Sequence, residues 1–457
     1  MIEIRKFIDR RNELEKLESL YRRNLFTLVL ITGRRRIGKS RLILEFMKNK
    51  NGIRIQFEKR KAAMNLNKMN RAIAKFFGIP VPNFKSFSDA FEFIVKQIGN
   101  TRLVIALDEF SYLIKETDVL AEFQTIVDEI LKETNVFLIL SGSAVSMLKR
   151  SFYEYTSPLY GRCHATLFLQ PLKFKHLMEW FPKASIESLV KIYAVTGGVP
   201  RYLEFFSGKN VEREIINNFF DPSSFLFREA KEVFEEEFDE PETYYAITEA
   251  ISHGYTRVSE IANYCFMEAK NVSKYLKVLG DLEIVQREFP IFSKKRKGGI
   301  YRIRDNYFNF WFRFVSKYFE DIETGFNDEA ISDFEKNFNT YLGYIFEQIV
   351  KEFFIELSRR NEFPIKIKKI GRWWHKNEKI DLIASDDETL ILTEVKWKEL
   401  VSSETERIIK DLKRKSKYFE NKRIIYSLVA KRIENKEEIS ENYLLFDLND
   451  FGKIGEI

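Results

Sequence analysis

Gly33-Arg34-Arg35-Arg36-Ile37-Gly38-Lys39-Ser40 sets two glycines five positions apart and closes on a lysine and a hydroxyl. This is the phosphate-binding P-loop spacing. The glycines let backbone N–H groups wrap a phosphate, and the helix that follows adds its dipole. Lys39 can neutralise the β- and γ-phosphates, and the Ser40 hydroxyl is placed to ligate Mg²⁺. The nucleotide-binding stretch is therefore read as Gly33, Arg34, Arg35, Arg36, Ile37, Gly38, Lys39, Ser40 and Arg41. Downstream, the apolar run after Arg102 ends in Asp108-Glu109, a Walker B pattern. Asp108 would hold the metal through water, and Glu109 would orient or deprotonate the attacking water. A second set of reactive types follows much later, in Asp381 and in Glu394-Val395-Lys396.

The elements needed to position these residues can be read from the same sequence. Phe26 to Ile31 is an apolar run that reads as a buried parallel strand, followed by an amphipathic helix from Lys39 to Met47. Ile53–Phe57 alternates as a strand, and helices are expected over 60–78, 86–98 and 118–133. The strand Val136–Leu140 runs into Ser141-Gly-Ser143, and a polar residue at its end would lie between the two Walker strands. Ser141 or Ser143 is thus a sensor of the γ-phosphate or water, or a plain strand exit. Before the loop, Asp9 is the expected cap of a first helix, while Phe7 and Ile8 serve either the adenine or packing under the sheet. Arg162, in Ser-Pro-Leu-Tyr-Gly-Arg, suits a γ-phosphate, in cis or across a subunit interface, or is an ordinary surface arginine. The trans role carries with it a homo-oligomer built through the ATPase domain.

In the second set, Lys379–Ser385 and Thr389–Lys398 read as a hairpin with its turn at Asp386–Thr389. A symmetric register places Asp381 opposite Glu394, with Lys396 on the same face and Ile380, Leu382, Val395 and Trp397 on the other. Two carboxylates and a lysine on one face form a divalent-metal site with a water-activating cation. The competing reading is a solvated hairpin face. A helix over 341–357 carries Glu347 at the edge of its apolar stripe, and Ile365–Ile370 alternates as a strand. His375 is an accessory or a structural residue.

With 457 residues, two to four domains are expected. A hydrophobic fraction of 45% with 31% charged residues excludes a disordered chain. The two distant cysteines and four histidines offer neither a disulfide framework nor zinc spacing, which suits a reducing cytoplasm. The charged N-terminus is not a signal peptide, and no apolar run is long enough for a membrane helix. A net charge of +7 is compatible with nucleic acid without arguing for it. Residues 221–243 read as an acidic helix or linker. Three short helices and two strands between 244 and 303 then read as a winged helix, with Asn271, Ser273, Lys274, Lys277 and a basic wing at 294–297 facing DNA.

Phe7, Arg10-Arg11, Glu13, the Gly33–Ser40 loop, Leu107-Asp-Glu-Phe110, Ser157–Arg162 and Gly197-Gly-Val-Pro200 together resemble the archaeal ATPase family of AAA+/STAND-like P-loop ATPases over about residues 1–235. The resemblance implies an additional-strand core with a helical lid. It also implies nucleotide roles for Ser141, Arg162 and Pro200. From about 335 to 430, Asp381, Glu394 and Lys396 resemble the PD-(D/E)XK nuclease signature, although Ile380 stands where the namesake proline would be. This implies that Asp381, Glu394 and Glu347 hold Mg²⁺ or Mn²⁺ and that Lys396 positions the hydrolytic water. The expected fold is α/β: a P-loop ATPase core of parallel sheet and helices (1–170), a helical lid and acidic linker (171–240), a winged helix (241–305), and an α/β restriction-endonuclease-like domain (306–457). The expected function is ATP hydrolysis joined to DNA processing by a metal-dependent nuclease. The alternative is a STAND-type nucleotide-gated signalling or defence switch whose C-terminal domain binds DNA or a partner without cutting.

Overall fold

Apolar runs that end in glycine or in charged turns become the strands of a five-stranded parallel sheet in the computed structural model, which describes residues 7–455 except 115, 294–298, 420–421 and 440–442. The strands are β1 (Thr27–Thr32), β2 (Gly52–Gln56), β3 (Leu103–Asp108), β4 (Val136–Gly142) and β5 (Ala165–Phe168). Their order is β2-β3-β4-β1-β5, so one strand separates the strand before the phosphate loop from the strand ending in Asp108. β1, β3 and β4 are buried along their whole length, as strands covered by helices on both faces must be. One cluster, including Leu28, Leu30, Ile105 and Phe123, fills one face; another, with Val29, Ile31, Leu42 and Phe46, fills the other. The helices Arg11–Tyr21 and Lys39–Met47 supply the second cluster.

The chain divides into two compact units, residues 1–171 and 172–457. In the second unit, helix Ile186–Thr196 stops at Gly197 and the chain restarts as a helix at Pro200. Gly198 has φ 73°, and a Cβ there would lie 2.0 Å from the Leu172 carbonyl oxygen, so only glycine fits this close crossing. The acidic segment is a packed helix, Phe225–Glu237, not a linker: Leu226, Phe227, Ala230, Val233 and Phe234 are buried. Its buried Glu229 accepts a bond from the Tyr202 hydroxyl at 3.0 Å. Next come helices Pro241–Ser252, Val258–Tyr264 and Ala269–Asp281, then the antiparallel pair β6 (Val285–Glu288) and β7 (Ile300–Ile303), in winged-helix order. Ser273, Lys274 and Lys277 are exposed on the third helix, while Val272, Leu276 and Leu279 are buried. The basic wing expected at 294–297 lies outside the described residues.

Helix Asn306–Phe314 is the pillar of this unit. Tyr307, Phe308, Phe310, Trp311, Phe312 and Phe314 are fully buried. Trp311 Nε1 donates to the Phe227 carbonyl at 2.8 Å and the Tyr307 hydroxyl to the Leu226 carbonyl at 2.9 Å. The polar tips of these rings are thus satisfied by backbone, as burial requires. The 341–357 stripe belongs to a longer helix, Asp328–Arg359. Five strands complete the unit: β8 (Lys369–His375), β9 (Glu378–Ser385), β10 (Thr389–Leu400), β11 (Arg423–Ile433) and β12 (Leu444–Phe446). They form a mixed sheet in the order β12-β11-β10-β9-β8. The strand expected at 365–370 instead begins at Lys369 and runs through Trp374. The tight turn after His375 sets this extent, because it pairs Trp374 with Lys379 and His375 with Glu378.

Candidate functional site

The phosphate loop is built by exclusion of side chains. Gly33 has φ 146°, and a Cβ there would meet Ile37 Cδ1 at 2.5 Å and the Leu169 carbonyl oxygen at 2.6 Å. Arg36 also adopts a left-handed backbone. The Ile37 side chain is spent in the core, so only its backbone faces the loop. Lys39 is buried, and its ammonium donates to the Gly33 and Arg34 carbonyls at 2.9 and 3.0 Å. Arg41 is exposed on the helix surface. Phe7 packs against the cluster beneath this helix, and Ile8 is buried.

Asp9 does not cap the first helix. The N-cap position belongs to Arg10, and both residues have left-handed backbones with no side-chain cap. The physical reason is the course of Arg10, whose buried guanidinium bonds the Ile37 carbonyl at 3.3 Å and the Gln170 carbonyl. It thereby ties the phosphate loop to the chain after β5.

Across the sheet, Asp108 gathers donors from three elements. Ser141 Oγ, at the end of β4, donates to Oδ1 at 2.5 Å, and the Ser40 hydroxyl also bonds this carboxylate. Arg54 Nη2, from neighbouring β2, lies 2.6 Å from Oδ2. Burial alone would raise the Asp108 pKa, but the bonds from Ser141, Arg54 and Ser40 outweigh it and hold the carboxyl below its ordinary value. The two serine candidates are therefore separated by partner: Ser141 serves Asp108, whereas Ser143 Oγ donates to Glu109 Oε2 at 3.1 Å. Glu109 itself has φ 56°, a left-handed backbone that costs about 1–3 kcal/mol and is concentrated at functional sites. It borders a cavity of about 370 Å³ with Arg35, Arg36, Gln56 and Tyr112, and Arg35 donates to the Tyr112 hydroxyl at 3.1 Å.

The set fits a magnesium nucleotide: hydroxyl and carboxylate oxygens for the metal, and a glycine cradle with a buried ammonium for phosphates. Arg162 is placed elsewhere in the first unit. Its guanidinium forks onto Asp128 with contacts of 2.9 and 2.6 Å. Pro200 opens a helix of the second unit.

In the second unit the hairpin register is the expected one. Leu390 pairs with Ser385 and Thr393 with Leu382, one step short of Glu394 against Asp381. The face they share is not solvated, for Asp381 and Glu394 are each 5% exposed. Lys396 Nζ bridges them, 3.1 Å from Asp381 Oδ2 and 2.7 Å from Glu394 Oε2. Lys415, from helix Ser402–Lys415, reaches Glu394 Oε1 at 3.0 Å. Burial raises the Glu394 pKa and the Asp381 charge adds to it. For Asp381, burial is outweighed by Lys396 and by the hydrogen bonds it accepts, so its pKa falls. Both carboxylates raise the Lys396 pKa against its own burial. Glu347 shares a cavity wall with Asp381, but its carboxylate is paired with Arg372. Burial first, then the Asp381 charge, pushes Glu347 up to about 7 against the pull of Arg372. His375 is exposed, with its ring beside Trp373.

Asp381, Glu394 and Glu347, expected together as metal ligands, each meet a protein cation in this arrangement. Among the described residues no group of three or more His, Cys, Asp or Glu is gathered to hold a metal ion. The carboxylates are closed instead by Lys396, Lys415 and Arg372. The donor types still suit Mg²⁺ or Mn²⁺, which would have to displace these cations.

Sequence patterning does not reveal Arg54, Arg10, Lys415 or Arg372, whose partners are distant in the chain. The one local signal is the polar side of helix Ser402–Lys415, where Asp411 and Lys415 pair four residues apart at 2.7 Å.

A family described as an ATPase domain predominantly from Archaea matches residues 7–206, and one described as archaeal and bacterial proteins of unknown function matches 311–408. An uncharacterised protein of Methanocaldococcus jannaschii is 40% identical over 456 residues, covering 97% of this chain and 100% of the relative. An ATP-binding protein of the same organism is 46% identical over 44 residues, which is 10% of this chain and 75% of that protein. Among solved structures, a Walker-type ATPase of Pyrococcus abyssi aligns with TM-score 0.51 and 23% identity over 68% of this chain and 99% of its own, a likeness of fold. No described helix is long and apolar enough to cross a membrane.

Proposed function

We propose, for a chain that belongs to the same family as the Methanocaldococcus jannaschii protein of 40% identity and matches the archaeal ATPase domain, that it binds and hydrolyses ATP with Mg²⁺. One observation carries this reading: Asp108 accepts hydrogen bonds from both Ser40 and Ser141, joining the phosphate-loop helix, β3 and β4 at one carboxylate. Ser40 and Asp108 would hold the metal, which would supply positive charge to the phosphates. Lys39 binds the β- and γ-phosphates in place of the loop carbonyls it now bonds. Glu109, held by Ser143, orients the attacking water and takes its proton. Titration calorimetry with MgATP tests it: the wild type should bind, and Lys39→Ala should not. Equal binding by both proteins would remove the phosphate loop from the function.

The second unit is proposed to act on DNA as a metal-dependent nuclease, with Asp381 and Glu394 as metal ligands and Lys396 as the group that positions water. The burial of the two facing carboxylates around one lysine supports this reading. The cation closure of every carboxylate favours a second one, a nucleotide-gated switch that binds DNA or a partner without cutting. Incubating single-stranded, duplex and branched DNA with Mg²⁺ or Mn²⁺ separates the two. Cleavage lost in Asp381→Ala supports the nuclease, and no cleavage of any substrate by the wild type supports the switch.

A further inference from the structure

The acidic floor of the second unit opens into a cleft of about 590 Å³. One wall comes from the winged-helix segment, with Arg257 and Arg302, and the other from β8 and β9, with Trp374 and Lys379. Glu347 and Asp381 lie between them. The walls are fastened together. Ile291 N donates to the Arg372 carbonyl at 2.8 Å, and the guanidiniums of Arg302 and Arg372 lie 5.2 and 4.9 Å from the centre of the same ring, Tyr344. Opening the cleft would break a backbone hydrogen bond and at least one of the two cation–π contacts.

We propose that this cleft takes a single strand of DNA and excludes duplex, with a base against Trp374 and backbone phosphates on Lys379 and Arg257. The proposal rests on the nuclease reading of Asp381 and names its substrate class. Its size is the first argument: about 300–1,000 Å³ encloses one small ligand, so one or two nucleotides fit and a base pair with both backbones does not. Charge is the second. The lining carries Arg257, Arg302, Arg372 and Lys379 against Glu260, Glu347 and Asp381, four cations to three carboxylates. The floor acids are paired closely, Glu347 with Arg372 and Asp381 with Lys396, while Lys379 and Arg257, 76% and 74% exposed at the rim, make only long ion pairs, 3.8 Å to Asp381 and 3.9 Å to Glu260. An exposed cationic rim beside a partly exposed indole is the combination that holds single strands, by phosphate contact and base stacking.

The test uses the full chain in EDTA, so that binding is read without cutting. Anisotropy of a fluorescein-labelled 15-mer is compared with that of its duplex, and a bromodeoxyuridine form is photo-cross-linked and mapped by mass spectrometry. The single strand should bind at least tenfold tighter, with the cross-link in the β8–β9 peptide containing Trp374. Trp374→Ala should weaken single-strand binding by roughly fivefold or more, and Trp374→Phe should retain most of it. Lys379→Ala, a surface change, should lower the slope of log affinity against log salt by about 0.7. Duplex binding of equal strength, cross-links confined to helix Ala269–Asp281, or competition by mononucleotide at equal nucleotide concentration would each overturn the proposal. Absence of cleavage with added metal, while these binding results hold, would overturn the nuclease reading alone.

Discussion

Arg54 sits where it competes with the metal that the ATPase reading requires. Its Nη2 is 2.6 Å from Asp108 Oδ2, while Ser141 and Ser40 occupy the rest of that carboxylate. A hydrogen bond between charged groups contributes about 1.5–3 kcal/mol. The Arg54 side chain is 25% exposed, so water weakens the pair and the lower end applies. Magnesium held between Ser40 and Asp108 must overcome about 1.5 kcal/mol, roughly a tenfold change in affinity. Arg54→Gln keeps a donor and removes the charge. We expect its half-saturating Mg²⁺ to fall about tenfold, read from fluorescent-nucleotide binding at fixed nucleotide and increasing metal.

Without metal the same variant should be less stable at neutral pH, and the difference from the wild type should shrink in acid. The sign follows from the depressed Asp108 pKa. A carboxylate held below its ordinary value contributes stability above about pH 3.9 and loses it as pH falls through the folded pKa. Removing Arg54 brings that folded pKa upward, so less stability is gained above about pH 3.9 and the two proteins converge as Asp108 becomes protonated in both. If Arg54→Gln leaves the half-saturating Mg²⁺ unchanged, or raises it, Arg54 remains on Asp108 with metal bound and the competition argument is wrong.

Two further outcomes follow from the same geometry. Glu109→Gln should bind MgATP like the wild type and fail to release phosphate, since the amide keeps the Ser143 contact without accepting a proton; turnover in this variant would move the base elsewhere. Lys415→Met should destabilise the second unit by about 3–5 kcal/mol, because it leaves one oxygen of a buried Glu394 without its cation. Adding Glu394→Gln should return most of that loss in a thermal melt, and failure to do so would mean that Lys415 acts through Asp411 instead.

The parts of both sites that were legible in the sequence are those whose chemistry is local. A phosphate loop needs its glycines and lysine within eight residues, and the structure uses Gly33 and Lys39 at those positions. The hairpin register was legible because strand alternation and the turn at Asp386–Thr389 fix which residues meet, and the observed ladder obeys that sum. The β4 position of Ser141 likewise followed from an apolar run ending in a polar turn. What failed to show was the solvent state of the Asp381–Glu394 face. Alternation separates two faces of a strand but does not say that helix Ser402–Lys415 covers the one bearing Glu394. The role of the aromatic helix Asn306–Phe314 is hidden for the same reason, since its partners Leu226, Phe227 and Tyr193 come from other helices.

The cations at the two sites, most of them not signalled by the sequence, have one property in common, and it bears on how both sites work. Arg54, Arg372, Lys396 and Lys415 each place a cation on a carboxylate that a divalent metal would otherwise neutralise. A buried carboxylate without a counter-charge is costly, so a fold that keeps such groups ready for a metal must either leave them wet or close them with its own side chains. This chain closes them: Asp108 is wholly buried, and Asp381 and Glu394 are each 5% exposed. Under the proposed reading, metal affinity at either site would be set by an exchange of cations rather than by the oxygen ligands alone. Raising monovalent salt screens exposed pairs and leaves buried ones nearly intact, so the metal requirement should be almost independent of salt at Asp381 and Glu394. It should fall with salt at Asp108, where Arg54 is partly exposed. A metal requirement at Asp381 and Glu394 that drops steeply with salt would mean their lysines are solvated, and the closure would not govern the chemistry.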